Sequence, residues 1–442
     1  MATIKFGTDG VRGRAYEDLS LADAFLIGRA AADVFGGTHA VVGRDTRESG
    51  PALTAALAAG LAAGGITTLD LGVAPTPAIA FVAGERGAVG AVVSASHNPW
   101  FDNGIKLFGP QGSKLSDADQ AAVEARLAEL DQPSDSMLEP DGSAALASIQ
   151  NEIGNWVQTV RSSIDADLSG LHLVIDCANG AASHVVAPGL ADLGAKVTAL
   201  FNQPDGRNIN ESCGSTHPQA LADAVVAAGA DIGLALDGDA DRLLAVDHLG
   251  QVVDGDQIMA MLALDMHGRG TLAGSQLVVT VMSNLGLLRS MQSAGISVEV
   301  TPVGDRNVLI ALDRLKANLG GEQSGHLIFT DYGGTGDGFL SGVQLLGLLA
   351  RSGKTLHDLA GAAMTVFPQV LQNVRVNEKM PDIAKRLADD IAAVEARLGD
   401  QGRVLVRASG TEPVIRVMVE AAEATQAQAA CDELCAAVTK LT

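Results

Sequence analysis

One unit recurs three times in this chain and restricts its fold more than any other feature. A short apolar strand runs into a polar loop; an apolar helix follows, then glycine, then a second strand. The first copy is His39–Gly43, a helix from about Gly50 to Ala63, Gly64-Gly65 and Ile66–Leu71. The second is Leu171–Ile175, the loop Asp176-Cys177-Ala178-Asn179-Gly180, a helix to about Leu193, Gly194 and Lys196–Leu200. The third is Gln276–Val281, Met282-Ser283-Asn284, a helix to about Ala294, Gly295 and Ser297–Thr301. A connection of this length pairs its two strands in parallel by a right-handed crossover. The copies lie more than a hundred residues apart, too far for a stacked solenoid. They predict an α/β protein of three homologous α/β domains with mixed sheets.

A chain of 442 residues also exceeds what one core supports. The expected limits are 1–154, 155–254 and 255–368, with a Pro/Ser/Asp-rich stretch at Asp131–Asp141 and a connecting helix over Ala144–Ser162. The segment 369–442 differs in character, with strands at Leu371–Val376, Arg403–Arg407 and Val414–Glu420, a charged helix and a closing Ala-rich helix. It reads as a small C-terminal α+β domain, acting as a lid over a central cleft lined by the other three.

Aromatic residues make up only 3% of the chain and glycines number 51, so the cores are built from Ala, Val, Leu and Ile between many turns. A net charge of −22 argues against nucleic acid as a partner. It also makes each arginine in a loop informative. The four cysteines, Cys177, Cys213, Cys431 and Cys435, show no metal-binding spacing and are expected to be buried free thiols. With no apolar leader and no 18-residue apolar run, the expectation is a cytoplasmic protein with no membrane partner.

Four loops carry chemistry. The strand Ala91–Val93 breaks into Ser94-Ala95-Ser96-His97-Asn98-Pro99, which places an exposed hydroxyl at a strand-to-turn junction, suited to a nucleophile or phosphoryl carrier. Asp102-Asn103-Gly104-Ile105-Lys106 then turns back and returns a lysine to the same place. By itself this stretch fits an ordinary polar loop equally well. Asp237-Gly238-Asp239-Ala240-Asp241-Arg242 sets three alternate carboxylates between two apolar strands. Oxygen-only ligands indicate a hard cation, Mg²⁺ first. An EF-hand loop fails, because Arg242 and His248 stand where glycine and glutamate are required. A solvated turn is disfavoured by the mutual repulsion of three carboxylates within five residues.

Gly320-Gly321-Glu322-Gln323-Ser324-Gly325-His326 supplies a carboxylate, an amide, a hydroxyl and an imidazole, a set suited to a polyhydroxylated ligand and equally to a polar loop with a structural histidine. Arg407-Ala408-Ser409-Gly410-Thr411-Glu412-Pro413-Val414-Ile415-Arg416 combines two arginines, two hydroxyls and an open backbone N–H into an anion cradle. The nucleotide P-loop pattern is absent, which favours a phosphate monoester. A hydroxyl, a divalent metal, a polyol reader and a phosphate cradle assemble into phosphoryl transfer on a phosphosugar.

These four loops, with Thr8-Asp9-Gly10-Val11-Arg12-Gly13, resemble the α-D-phosphohexomutase superfamily over the whole chain and in family order. The Glu322-Gln323-Ser324 form of the sugar loop is most similar to the bacterial branch working on glucosamine phosphates; Ala240 and Ala408 depart from the usual Gly and Lys. The resemblance implies that Ser96 is phosphorylated in the active enzyme. One Mg²⁺ is then held by Asp237, Asp239, Asp241 and that phosphate. Lys106, Arg12 and His326 are the implied catalytic groups, with proton transfer assigned among them. His97, Arg242, Glu322, Ser324, Arg407, Ser409, Gly410, Thr411 and Arg416 are the implied substrate ligands. The implied reaction interconverts glucosamine 6-phosphate and glucosamine 1-phosphate through a 1,6-bisphosphate, feeding cell-wall amino-sugar synthesis. A phosphomannomutase/phosphoglucomutase activity and a silent sugar-phosphate sensor are the alternatives, and a homodimer stays open as the assembly.

Overall fold

A computed structural model describes residues 6–7, 10–138, 146–409 and 413–441. All three recurring units form parallel pairs. His39–Arg44 lies beside Thr67–Val73, His172–Asp176 beside Lys196–Leu200, and Gln276–Thr280 beside Ser297–Thr301. In every case a third strand joins the first on its other side, again in parallel: Val89–Val93, Ile232–Leu236 and Leu319–Gly321. That third strand then turns back as an antiparallel hairpin, with Asp102–Phe108, Leu243–Asp247 and Leu327–Phe329 respectively. The sheets are therefore mixed, of six, five and four strands.

This shared topology places the chemical loops. Residues 94–101, 237–242 and 322–326 are the same hairpin loop in three copies, each beyond the carboxyl end of a parallel strand, where α/β sheets present ligands. The sequence expectation located the loops without recognising that they are equivalent. The remaining sheet is antiparallel, with Val414–Ala421 between Gln369–Arg375 and Gly402–Ala408.

Burial joins the first three sheets into one apolar body. A continuous core runs from Val41 and Ile79 through Trp156 and Ile175 to Leu277 and Phe339. The C-terminal sheet keeps a separate core, in which Val417, Val419 and Val406 pack on Cys431, Leu434 and Val394.

Three expectations need correction. Of the connecting helix proposed over Ala144–Ser162, the described residues form an α-helix only over Ile153–Arg161, preceded by a 3-10 turn at Gln150–Glu152. Upstream, Ala147–Ser148 extends the first sheet by pairing with Leu69–Asp70, because the edge of Thr67–Val73 offers free backbone groups. In the second unit the helix shrinks to Val186–Ala191, since Ala178 and Asn179 adopt left-handed backbone and the segment serves as a turn against the acidic loop. The cysteines are free, but Cys435 is only partly buried.

Candidate active site

The carrier loop is clamped from several directions. Ser96 has a left-handed backbone, φ 52°, which costs a non-glycine residue about 1–3 kcal/mol and persists only where the surroundings enforce it. Its N–H donates to Ser94 Oγ at 2.9 Å, and that hydroxyl donates to Asp45 Oδ2 at 2.5 Å. Its carbonyl accepts from Arg47 and from Asn210, each at 2.9 Å. Arg47 is fully buried, pairs with Asp45 at 2.7 Å, and also donates to the carbonyls of Asn98, Pro99 and Asp102. With the backbone so fixed, Ser96 Oγ donates to Asp237 Oδ2 at 2.6 Å and lies 3.2 Å from His97 Nδ1.

The acidic loop meets it from the second sheet. One oxygen from each of Asp237, Asp239 and Asp241 lies within 4.8 Å of the others. Gly238 is required here, because a Cβ would stand 2.5 Å from the Ser96 carbonyl oxygen and 2.9 Å from Asn210 Nδ2. Ala240 holds the turn at φ 60°, a conformation glycine adopts without penalty. Contrary to expectation the hydroxyl of Ser96 is not exposed, and the three carboxylates are buried with it. Ser96, Asp237 and Asp239 are each 1% accessible and Asp241 is 2%. Burial, reinforced by Asp239 and Asp241, holds the Asp237 carboxyl well above the usual carboxylate range. Three carboxylates crowded in a dry site fit a hard divalent cation, which relieves both the desolvation and the repulsion.

Thr76 Oγ1 donates to Asp239 Oδ2 at 2.7 Å, from the start of the helix Thr76–Arg86. Lys106 Nζ lies 3.3 Å from Asp241 Oδ2 and 3.8 Å from Asp239 Oδ2, so its ammonium supplies countercharge to the cluster. Arg12 sits opposite Gly104 on the neighbouring strand, and a Cβ on Gly104 would come 2.9 Å from its Cγ. Burial opposes the Arg242 charge, but Asp237, Asp241, Glu322 and Asp239 outweigh it and raise its pKa.

The third loop adds His326, whose Nε2 accepts from the Gly336 N–H at 3.2 Å and lies 3.8 Å from Asp241 Oδ2. Burial, with Lys114, Arg242 and Lys106 adding to it against Asp241, takes its pKa down to about 3, so the ring is neutral. Glu322 accepts from the Gly304 N–H at 3.0 Å, and Ser324 is exposed. The Gln323 amide instead donates to Asp254 Oδ2 at 3.1 Å, which caps the helix Gly255–Gly268. It serves the scaffold and not the polyol-reading set in which the sequence placed it.

In the C-terminal sheet, Arg407 pairs directly across from Arg416. Burial and then the neighbouring Arg416 charge lower the Arg407 pKa. Ser409 is buried, and its N–H donates to the Val414 carbonyl. Gly410 and Thr411, with Thr8 and Asp9, lie outside the described residues. Asn373 is opposite Arg416 and Arg375 follows two residues on, so both share the arginine face. The other end of that face is anchored to the third sheet. There Arg403 pairs with buried Glu420 at 2.5 Å and donates to the Ser283 carbonyl, while Glu420 accepts from the Leu285 N–H at 3.1 Å.

The structure thus brings Ser96, Lys106, Asp237, Asp239, Asp241 and His326 into one buried cluster, with the half-buried His97 and Arg242 at its edge and Glu322 acting on Arg242. Arg407, Ser409 and Arg416 form a separate group on the C-terminal sheet. Sequence reasoning missed Asp45, Arg47, Thr76, Asn210 and Arg375. Arg47 had a signal, as a loop arginine in an acidic chain; Asn210 and Thr76 had none, since their roles exist only across the interface between units.

Models of the phosphoglucomutase/phosphomannomutase family match four stretches: alpha/beta/alpha domain I at 3–134, domain II at 152–250, domain III at 254–367 and the C-terminal domain at 371–437. The chain is 48% identical over 445 residues to the phosphoglucosamine mutase of Clavibacter michiganensis subsp. michiganensis, covering 98% of each. It is 50% identical over 424 residues to that of Pelotomaculum thermopropionicum, covering 94% of this chain and 95% of the relative. Among solved structures, a phosphoglucomutase/phosphomannomutase family protein from Burkholderia thailandensis superposes with a TM-score of 0.81 at 28% identity, covering 98% of this chain and 96% of the other. No helix among the described residues is long and apolar enough to cross a membrane.

Proposed function

Because this chain belongs to the phosphoglucomutase/phosphomannomutase family, we propose that it interconverts glucosamine 6-phosphate and glucosamine 1-phosphate, using Ser96 as a phosphoryl carrier. The observation that carries this reading is the 2.6 Å contact between Ser96 Oγ and Asp237 within a buried carboxylate cluster. A sensor has no use for a strained, clamped hydroxyl facing a cation site. The amino-sugar assignment rests on the name that relatives at 48–50% identity carry.

In this reading Ser96 is phosphorylated at rest. Asp237, Asp239 and Asp241 hold Mg²⁺, which when bound neutralises charge on the phosphoryl group in transfer. The sugar O1 attacks phosphorus, its proton passes to a nearby group, and Ser96 Oγ leaves. The resulting 1,6-bisphosphate turns over in the cleft and returns its 6-phosphoryl to Ser96, releasing the 1-phosphate. Lys106, Arg12 and His326 are the candidates for moving the proton. Neutral His326, whose Nε2 already accepts from Gly336, carries its hydrogen on Nδ1. Glu322 and Ser324 hold sugar hydroxyls, with His97 and Arg242 at the transferring phosphate. Each domain of the division 1–154, 155–254, 255–368 and 369–442 supplies one loop.

A coupled assay comparing glucosamine, glucose and mannose phosphates under identical conditions tests the proposal. The highest kcat/KM is expected for glucosamine 6-phosphate; a higher value for mannose 6-phosphate would move the chain to the phosphomannomutase reading.

The opposed Arg407 and Arg416 take the phosphate that is not reacting, with Ser409, Gly410 and Thr411 completing the cradle. Two juxtaposed cations gain from an anion between them, and a bidentate charge-assisted contact contributes about 1.5–3 kcal/mol. Arg407→Ala is therefore expected to raise KM about 10- to 100-fold and to leak free bisphosphate, while Ser96 still takes up phosphate. Unchanged kinetics with no bisphosphate release would reduce Arg407 to a structural surface residue.

A further inference from the structure

The backbone of Ser96 is held by groups from two different units, and one of them lies far from any loop so far assigned a role. Asn210 belongs to the segment following the strand Lys196–Leu200, in the second unit. It is 7% exposed and has a left-handed backbone, φ 58°. Its own N–H donates to the Ala178 carbonyl at 2.9 Å, fixing it to the second sheet's first loop. Its Nδ2 reaches into the first unit and donates to two carbonyls of the carrier loop, Ser96 at 2.9 Å and Asn98 at 3.0 Å. Arg47 donates to the same two carbonyls from within the first unit, each at 2.9 Å. A carbonyl oxygen has two lone pairs, and at Ser96 one is taken from each unit.

Asn210 also touches the acidic loop, since a Cβ on Gly238 would meet its Nδ2 at 2.9 Å. The amide is thus wedged between the loop bearing the carrier and the loop bearing Asp237. Building on the reading of Ser96 as carrier, we infer that Asn210 is a positioning residue: it holds Ser96 in its left-handed conformation and sets the spacing of Ser96 Oγ from Asp237. The need is specific to a carrier. Its side chain alternates between free and phosphorylated states, while its backbone must keep the same unfavourable conformation through both. Arg47 fixes the loop to its own unit; Asn210 ties the loop's backbone directly to the unit that carries the acid cluster. Reacting groups misplaced by about 1 Å lose about 100-fold in rate.

Asn210→Asp tests this, because aspartate matches the size and tolerates the same backbone but presents an acceptor to two carbonyls. Asn210→Ser is the second variant, in case the carboxylate prevents folding. Thr46→Val is the interface control. It removes the 2.6 Å hydrogen bond from Thr46 to the Asn179 carbonyl, at the same junction but with no partner in the carrier loop. Both Asn210 variants are expected to lower kcat about 30- to 100-fold with KM within about threefold, whereas Thr46→Val keeps the wild-type kcat. An unchanged kcat in the Asn210 variants, or an equal loss in Thr46→Val, would overturn the inference and leave Asn210 an interface bond only. Wild-type turnover of glucosamine 6-phosphate is measured first. Should it be absent, the functional reading fails on its own, and the Asn210 comparison is made as the rate of Ser96 phosphorylation from glucose 1,6-bisphosphate, followed by intact mass. Equal uptake rates in wild type and variants would then be the overturning result.

Discussion

Ser96→Ala is expected to lower turnover by about 10⁴-fold or more, while the protein still folds and binds sugar phosphate. Alanine keeps the Cβ, so the left-handed backbone at φ 52° is no more strained than before. The lost contact is the hydroxyl's bond to Asp237, about 1 kcal/mol of stability. The clamp of Arg47, Asn210 and Ser94 acts on backbone atoms and survives the change. Stability and turnover should therefore separate sharply. Intact mass of the wild type should show one phosphate, absent from the variant. A variant with undiminished activity would dispose of the carrier role.

The second large effect concerns the acid cluster, where stability and activity are expected to move in opposite directions. Asp239 lies among buried carboxylates and is one of the two charges that push Asp237 upward. Asp239→Asn removes that repulsion and keeps an oxygen to accept from the Thr76 hydroxyl. Without metal the variant should melt no lower than the wild type. Its Mg²⁺ requirement should rise and its turnover fall about 10²- to 10³-fold, the usual loss when a group stabilising charge in the transition state is removed. Full wild-type activity in excess chelator would end the metal reading. A variant that simply unfolds would show Asp239 to be structural.

Much of this site could be read in the sequence because its loops are local. Each chemical set falls within six to ten consecutive residues, and the Gly and Asn-Pro signals mark the turns. Strand limits such as Lys196–Leu200 and Ser297–Thr301 follow directly from β-branched runs bounded by glycine. What sequence could not supply was anything made by distant pairing. Ala147–Ser148 is a strand only because Leu69–Asp70 presents an open edge. Ser96 and the aspartates look like exposed loop residues until loops of two units close on each other. Gln323 sits in a loop that reads as sugar-binding, and its bond to Asp254, the N-cap of the helix starting at Gly255, has no sign in the sequence. Asn210 carries no local sign of its role, since both its acceptors lie more than a hundred residues away.

The continuous core beneath the first three sheets has a thermodynamic consequence. Val41, Ile175 and Leu277 belong to one buried cluster, so none of the three units can lose its packing without exposing its neighbours' apolar surface. All three units are therefore expected to lose structure in one calorimetric transition. The C-terminal sheet, with a core of its own and a polar junction at Arg403 and Glu420, is expected to open separately and at lower cost, as hydrogen exchange would show. On the proposed mechanism, the softest transition is thus confined to the part that would let a doubly phosphorylated intermediate turn round, and the geometry holding Ser96 against Asp237 is insulated from it.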